Sequence, residues 1–534
     1  MRIVLLLGLA TLIALPVVAA EEKQRYAKIS LASLEDKIRG GWAGQMIGVT
    51  FGFPTEFVYQ ERIIPEHELP EWRPEMIKGA LEQDDLYVDI TFAQVLDDKG
   101  LDASSEDFGE LFQNARYPLW HANLAARRAL RRGVPATLSG TPAYNLHAHD
   151  IDFQIESDFI GLMSPGMPRS SNEISLRAGR VMNYGDGIYG GMFISAMYAA
   201  AFFSDDTEMI VRAGVSALPG ESEYARLIED VLGWWRESPD DWQSTWEKIH
   251  DKWNSGEMCP EGAVKTFNID AKINGAYVVL GLLYGAGDFE KTMHISTRAG
   301  QDSDCNPSSA LGILGVVRGY RNIPGKFTIG LKDIADSKFI YTRYSFNEIV
   351  DSTLKRAVAL SKKNGGYVDE EYVHVVLQEA VPAELQTWKG QGVVSEILLY
   401  EDPRWQWRGN WLHETMRIWR YEHISKTSST LGAEATISFV GTGAVLKGIL
   451  LPDGGLLDIY LDGDLNRTVD VYPDELNAKP EESIWHQFDL EDKRHTLRLK
   501  VRGEPYREST GAKISISSLI VYRQQTLQDN NLQN

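Results

Sequence analysis

The sequence predicts a multidomain protein, helical to about residue 390 and an all-β sandwich, jelly-roll-like, after it. Three observations carry that expectation. The 534 residues exceed one ordinary domain. Before residue 390, small and apolar residues recur at helical spacing, as at Gly40, Gly44 and Gly48. After it, the runs 437–443, 456–463, 495–501 and 514–521 alternate with period two between Gly, Asp and Pro turns. With 43% apolar and 24% charged residues the chain is globular. A net charge of −21 argues against nucleic-acid binding through a basic face. Two cysteines, Cys259 and Cys305, make no disulfide scaffold.

In chain order, Arg2, the apolar run 3–18 and the small residues 18–20 form a secretory signal-peptide pattern, with a retained anchor as the alternative. No later stretch reaches the length of a membrane span. The expected organisation is a signal peptide 1–20, a helical domain 21–390, a β-sandwich 391–525 and a polar tail 526–534. The mature protein is then secreted or periplasmic. A helix is expected from Leu34, with Ser33 as N-cap. Its four glycines, Gly40, Gly41, Gly44 and Gly48, each cost a helix about 1 kcal/mol, so close helix–helix approach must explain them. It stops before Pro54 and leaves Glu56 in a loop.

A helix over 84–97 starts with Asp84 and Asp85, where the dipole favours acid. Arg127, Arg128, Arg131 and Arg132 read as intramolecular ion-pair donors. Asp152 and Glu156 are an i,i+4 acidic pair on a helix after His147 and His149, either a wall of a cleft or a solvated face. Gly187, in the glycine-rich run 185–191, allows close approach of a sugar or tight packing. The run 204–209 carries Asp-Asp-Thr but reads as a helix N-cap. Trp242, Trp246 and Trp253 at helical spacing read as a core seam. A small-residue helix over 272–287 leads to a tight polar loop, 298–306, with Asp302 and Asp304. Alternate carboxylates in such a loop either cap a helix or converge on a hard cation. Ser308, Ser309, Ala310, Gly312 and Gly315 then mark a closely packed helix.

Three stretches in this order, Gly52-Phe-Pro-Thr-Glu56, Gln83-Asp-Asp-Leu86 and Ala299-Gly-Gln-Asp-Ser-Asp-Cys305, resemble the ADP-ribosylglycohydrolase family over residues 35–325. The resemblance implies an all-α catalytic domain with two Mg²⁺ ions, which in that family hold a ribose diol and position water at the anomeric carbon. Carried over, the metal ligands are Asp84, Asp85, Asp302, Asp304 and Glu56. The catalytic residues are Glu56, Asp85 and Asp304. The proposed substrate contacts are Gln83, Asp152, Glu156 and Gly187. Three family threonines are replaced, by Gln83, Leu86 and Cys305. Cys305 is a poor Mg²⁺ ligand, so one ion is lost or exchanged for Mn²⁺ or Ca²⁺, or Cys305 is tied to Cys259. The C-terminal region is similar to β-sandwich modules appended to secreted glycoside hydrolases, some of which bind carbohydrate and others only brace the enzyme.

Two functional classes follow. The first is an exported metal-dependent hydrolase of a glycosidic bond in a ribosyl-type substrate, furanoside or glycan, a true ADP-ribosyl hydrolase being one variant of it. The second is an inactive carbohydrate-binding protein on the same scaffold.

Overall fold

Four glycines spaced by four, Gly40, Gly44, Gly48 and Gly52, line one edge of the helix Leu31–Gly52 in the computed structural model of the chain. They face the helix Cys305–Arg318, antiparallel to it. A Cβ on Gly40, Gly44, Gly48 or Gly52 would stand 2.0–2.2 Å from a backbone oxygen of Gly315, Leu311, Pro307 or Ser303, in that order. The two backbones therefore touch along their whole shared length. That contact accounts for glycines that would otherwise weaken a helix interior. The described residues are 25–254, 258–263, 265–388 and 391–524. The signal-peptide and polar-tail expectations fall outside them.

The glycine helix begins earlier than its sequence pattern indicates. Ser30 is the N-cap, its hydroxyl accepting from the Ser33 backbone N–H. Around the glycine seam stand further helices, among them Asp84–Lys99, Pro168–Gly179, Asp186–Ala201, Ala271–Gly285, Phe289–Arg298 and Phe346–Lys363. The acidic segment near residue 150 is two short helices, Asp152–Ile155 and Asp158–Leu162, where one was expected. The break falls at Glu156 and Ser157: the Ser157 hydroxyl bonds back to Gln154 O at 3.0 Å, and the Glu156 side chain turns to Asn123. The Asp-Asp-Thr run at 205–207 caps a helix through Asp206, which accepts from Met209 N. Trp246 is buried, with Trp242 and Trp253 half-buried against the core.

A small antiparallel sheet not apparent from the sequence pattern joins Tyr26–Ser30 to Tyr372–Val376 and Tyr367–Val368. Beyond residue 391 the chain is strands in several antiparallel sheets. A five-stranded sheet runs Asp464–Asp470, Gly455–Leu461, Lys493–Pro505, Glu434–Gly441, Gln406–Arg408 in spatial order. A four-stranded sheet runs Lys479–Gln487, Gly443–Leu450, Ser518–Arg523, Val393–Leu399. Ile437, Leu457, Leu497 and Leu499 of the first and Leu446, Leu519 and Val521 of the second are buried in the core. Among the described residues no helix is long and apolar enough to cross a membrane.

The arginine cluster joins the two regions. Arg127 meets Glu475 at 2.6 Å; Arg128 and Arg132 meet Asp470; Arg132 also meets Asp474 at 2.6 Å. All the acids belong to the strand-rich region, so the arginines pair within the chain.

The seam gives a sharp expectation. Gly44→Ala drives a methyl into the Leu311 carbonyl and is expected to destabilise by about 1–3 kcal/mol, as overpacking does. Gly233, inside the helix Glu223–Glu237, has open space at its Cβ position. Gly233→Ala is expected to stabilise by about 0.5–1 kcal/mol. Denaturant melts of the full chain read both; a Gly44→Ala protein as stable as the parent would refute the close approach.

Candidate functional site

The seam ends where the acidic residues begin. Gly52 lies over Ser303 and Asp304, and the chain then turns through Phe53–Thr55 to Glu56. Thr55 Oγ1 lies 2.8 Å from Ser303 Oγ, fixing this turn on the loop before the partner helix. The same loop is held by Phe57 N–H donating to Gln301 O (2.9 Å) and Gln301 N–H donating to Tyr59 O (3.0 Å). Gly300 and Gln301 both adopt positive φ, 83° and 52°, which turns the loop tightly enough to aim Asp302 and Asp304 the same way. Asp84 and Asp85 arrive from the first turn of Asp84–Lys99.

The structure brings Glu56, Asp84, Asp85, Asp302 and Asp304 together. Asp85, Asp302 and Asp304 are buried, while Glu56 and Asp84 are half-buried. Burial, then the charges of Asp304, Asp84 and Asp85, push the Glu56 carboxyl well up. Burial and the charges of Asp304 and Asp84 do the same to Asp85. Asp302 is raised by burial, Asp304, Glu56 and Asp85. Asp304 is pushed up to about 6, chiefly by burial. Each is thus held away from its ionised state by its neighbours, an arrangement that either protons or a cation must relieve.

The donor set fits a hard cation. Asp85 Oδ2, Asp302 Oδ1 and Asp304 Oδ1 are buried without a hydrogen-bond partner. Oxygen atoms from several carboxylates are the ligands Mg²⁺, Mn²⁺ and Ca²⁺ take. Cys305 lies with Asp302 and Asp304, their ligand atoms within 4.8 Å of one another. Its Sγ donates to Asp85 Oδ1 at 3.1 Å, and burial among four carboxylates pushes the thiol well up. Cys305 and Cys259 form no disulfide, which removes that expectation. Of the other replaced positions, Leu86 is fully buried in the core, and Gln83 is the N-cap residue beside Asp84, half-buried.

Asp152 and Glu156 form a buried wall beside this centre and not a solvated face. Asp152 Oδ1 accepts from Asn123 N at 2.9 Å, and Glu156 accepts from the Asn123 amide. Burial first, then Asp150, pushes Asp152 to about 8; burial, Asp152, Asp84 and Asp89 push Glu156 well up. Burial thus favours the neutral acid at both. Gly187 backs onto protein: a Cβ there would meet Ala148 O and Asn183 Nδ2 at 2.4 Å.

Sequence reasoning missed a contribution from the strand-rich region. The hairpin Leu412–Ile418 with Tyr421–Ser428 reaches the acidic centre. Tyr421 OH donates to Phe57 O at 3.2 Å, and the Arg420 charge acts on Glu56, lowering its pKa against the other influences. Trp419, at the turn, is exposed and lies under the Arg420 guanidinium at 4.5 Å. An exposed aromatic beside an arginine at a hairpin turn is the one local signal of this role.

Residues 30–364 match the family model described as ADP-ribosylglycohydrolase. No curated protein matches the chain. Among solved structures, the chain is similar to an ADP-ribosylglycohydrolase-related protein complex, at 15% identity and TM-score 0.42, over 61% of this chain and 98% of that one. It is also similar to the CBM36-1 domain of a multidomain xylanase from the hindgut metagenome of Trinervitermes trinervoides, at 12% identity and TM-score 0.18, over 24% of this chain and 98% of that one.

Behind the centre, Asp158 is buried next to Asp89 and Tyr198, and burial pushes its carboxyl to about 7. An unfolded Asp titrates near 4, so the folded state binds the extra proton between about pH 4 and 7. Its stabilising share is complete below that window and is lost as pH rises through 7. Asp158→Asn stays neutral throughout. Its Tm is expected to fall less than the parent's between about pH 5 and 8; parallel Tm–pH curves would refute the assignment.

Proposed function

The chain belongs to the ADP-ribosylglycohydrolase family, and we propose that it is an exported, metal-dependent hydrolase of a glycosidic bond in a furanoside or glycan. The observation that carries this reading is the grouping of five buried or half-buried carboxylates, with Asp302 and Asp304 close enough to share an ion and three of the five carrying buried, unpartnered oxygens. Asp84, Asp85, Asp302, Asp304 and Glu56 would hold Mg²⁺, as one or two ions, with Mn²⁺ or Ca²⁺ as alternatives. When bound, the cation supplies positive charge that orients sugar hydroxyls and water.

The chain's own groups divide the remaining work. Glu56 lies at the rim, half-buried, and in the ionised form that a bound cation would favour it would take a proton from water. The Arg420 charge opposes the upward shift that burial and the neighbouring carboxylates impose on Glu56. Asp85 is oriented by the Cys305 thiol and by the Ser308 hydroxyl. Breaking the bond at an anomeric carbon builds positive charge there, and the field of Asp85 and Asp304 stabilises it. Asp152 and Glu156, which burial shifts toward the neutral acid, can donate hydrogen bonds to sugar oxygens when protonated. Gln83, beside Asp84, offers an amide to the same sugar. Gly187 supports the wall from behind.

Export rests on the pattern of residues 1–20 and favours an extracellular or periplasmic glycan or furanoside over an intracellular protein modification. The strand-rich region braces the site through the arginine cluster and the Tyr421 contact.

The test is sugar release by residues 21–534 from ribosyl and arabinosyl furanosides, ADP-ribosylated substrates and plant or algal glycans, with Mg²⁺, Mn²⁺, Ca²⁺ or chelator. Chelator-sensitive release is expected, with Asp304→Ala lowering kcat/KM on the order of 10²–10³-fold. Release unaffected by both chelator and Asp304→Ala would refute the reading. Glycan binding that survives Asp304→Ala, with no turnover of the bound glycan, would instead favour the inactive binding protein, to which Leu86 and Cys305 already point.

A further inference from the structure

Away from the oxygen-rich centre, His121, His147, Asp150 and Cys259 bring four donor atoms within 4.8 Å of one another. Asp150 Oδ2 lies 2.9 Å from His147 Nδ1 and 3.6 Å from His121 Nδ1, and Cys259 Sγ lies 3.4 Å from His147 Nδ1. From these distances we propose a structural zinc site with His121, His147, Asp150 and Cys259 as its four ligands, pinning the segment around Cys259 and the strand-rich region to the helical floor.

The geometry of the donors supports a metal over a hydrogen-bonded cluster. Zn²⁺ bonds of roughly 2.0–2.3 Å give tetrahedral edges of about 3.3–3.7 Å. Two of the three separations fall in that range, and the His147–Asp150 contact need open by only a few tenths of an ångström. His147 Nδ1 faces both Asp150 and Cys259, yet one ring nitrogen carries at most one hydrogen. A Cys–His–Asp relay would use opposite ring nitrogens, so this is no nucleophile arrangement. The other ring nitrogen, Nε2, lies 3.4 Å from Glu482 Oε2 on the strand Lys479–Gln487. Nε2 makes no hydrogen bond here, and a carboxylate at this distance is placed to accept one that would orient a metal-bound imidazole.

Burial points the same way. His147, Asp150 and Cys259 are buried, and the His121 side chain is 18% exposed. His121 Nδ1 is buried and makes no hydrogen bond while facing the cluster, and Asp150 Oδ1 is likewise orphaned. His121 sits at φ 43°, a conformation costly for a residue with a Cβ, and its ring stacks on Phe267 at 5.4 Å. The mixed donor set, one sulfur, two imidazoles and one carboxylate, suits Zn²⁺ and not Mg²⁺. Four protein ligands leave no open position, which marks a structural role.

The place of the site explains what it would hold. Its ligands come from the start of the helix His121–Arg131, the turn before Asp152–Ile155 and the segment that leads to Ala271–Gly285. Cys259 shares an apolar cluster with Phe57, Ile151, Phe267 and Cys305, which lies between the two centres. The neighbouring Pro260 carbonyl accepts from the buried Lys447 ammonium of the strand-rich region at 3.0 Å. A pin at Cys259 therefore fixes the wall behind Phe57, next to Glu56, and the docking of the second region together.

The experiment is metal analysis of the full mature chain, loaded with equimolar Zn²⁺ and dialysed, with Co²⁺ substitution read by absorption. The parent is expected to retain one zinc per chain, and its cobalt form to show thiolate-to-metal charge transfer with intense tetrahedral d–d bands. Zinc retention is expected to fall roughly tenfold or more in Cys259→Ser and in His121→Ala. Asp304→Asn, which alters the oxygen-rich centre, is expected to keep it, separating the two sites. An intact parent that retains no zinc and shows no thiolate-to-cobalt band overturns the proposal without reference to any variant. Undiminished zinc in both Cys259→Ser and His121→Ala overturns it as well.

Discussion

The contact on which the rest of the structure depends is backbone against backbone along the glycine seam. At Gly40, Gly44, Gly48 and Gly52 the helix Leu31–Gly52 comes closer to Cys305–Arg318 than any side chain permits. Because the helices are antiparallel, the C-terminal end of one meets the N-terminal end of the other. Glu56 follows the first end by four residues, and Asp302 and Asp304 precede the second. A helix rises 1.5 Å per residue, so a slip by one turn would move Glu56 about 5 Å from Asp304. Glycine therefore does more here than permit close packing: it sets the register that assembles the carboxylates.

That assembly has an electrostatic consequence. Two like charges about 4 Å apart in a partly buried site repel by several kcal/mol. Folding must meet this repulsion with protons, with a cation, or with hydrogen bonds. The structure divides the means by location. Behind Asn123, Asp152 is pushed up by burial and Asp150, and Glu156 by burial and Asp152. Asp470, facing Arg128 and Arg132, is pushed down to about 2 and stays ionised. Asp85, Asp302 and Asp304 have neither an arginine nor enough donors, and they retain bare oxygens. There the carboxylates raise one another, so a cation at this centre has much to offset.

What the sequence makes legible follows the range of each interaction. The glycine pattern, the acidic helix start and the Asp-x-Asp loop are local, so adjacent residues announce them. The arginine cluster announces intramolecular pairing through its charge alone, although not its partners some 340 residues away. Of the two alternatives read for Cys305 from the replaced threonine, the disulfide fails: beside Asp85 it is a buried hydrogen-bond donor. His121, His147, Asp150 and Cys259 come from three separate segments, and no spacing rule joins them. The break at Glu156 is hidden for the same reason, since it is Asn123, 33 residues away, that draws the side chain out.

The strand-rich region is best understood through what its contacts have in common. Arg127, Arg128 and Arg132 grip Asp470, Asp474 and Glu475; Glu482 stands behind His147; Lys447 holds the Pro260 carbonyl; Tyr421 holds Phe57. The Tyr421, Pro260 and Glu482 contacts lie beside Glu56 or the mixed-donor cluster, and the arginines stand on the helix that carries His121 and Asn123. A freely tethered binding module would have no reason to place its buried charges there, because each costs desolvation that only a fixed partner repays. The ion pairs therefore fix the orientation of the two regions, and that fixed orientation brings Arg420 and Trp419 to the mouth of the oxygen-rich centre. The hairpin turn is thus part of the surroundings of the oxygen-rich centre, to which both regions contribute.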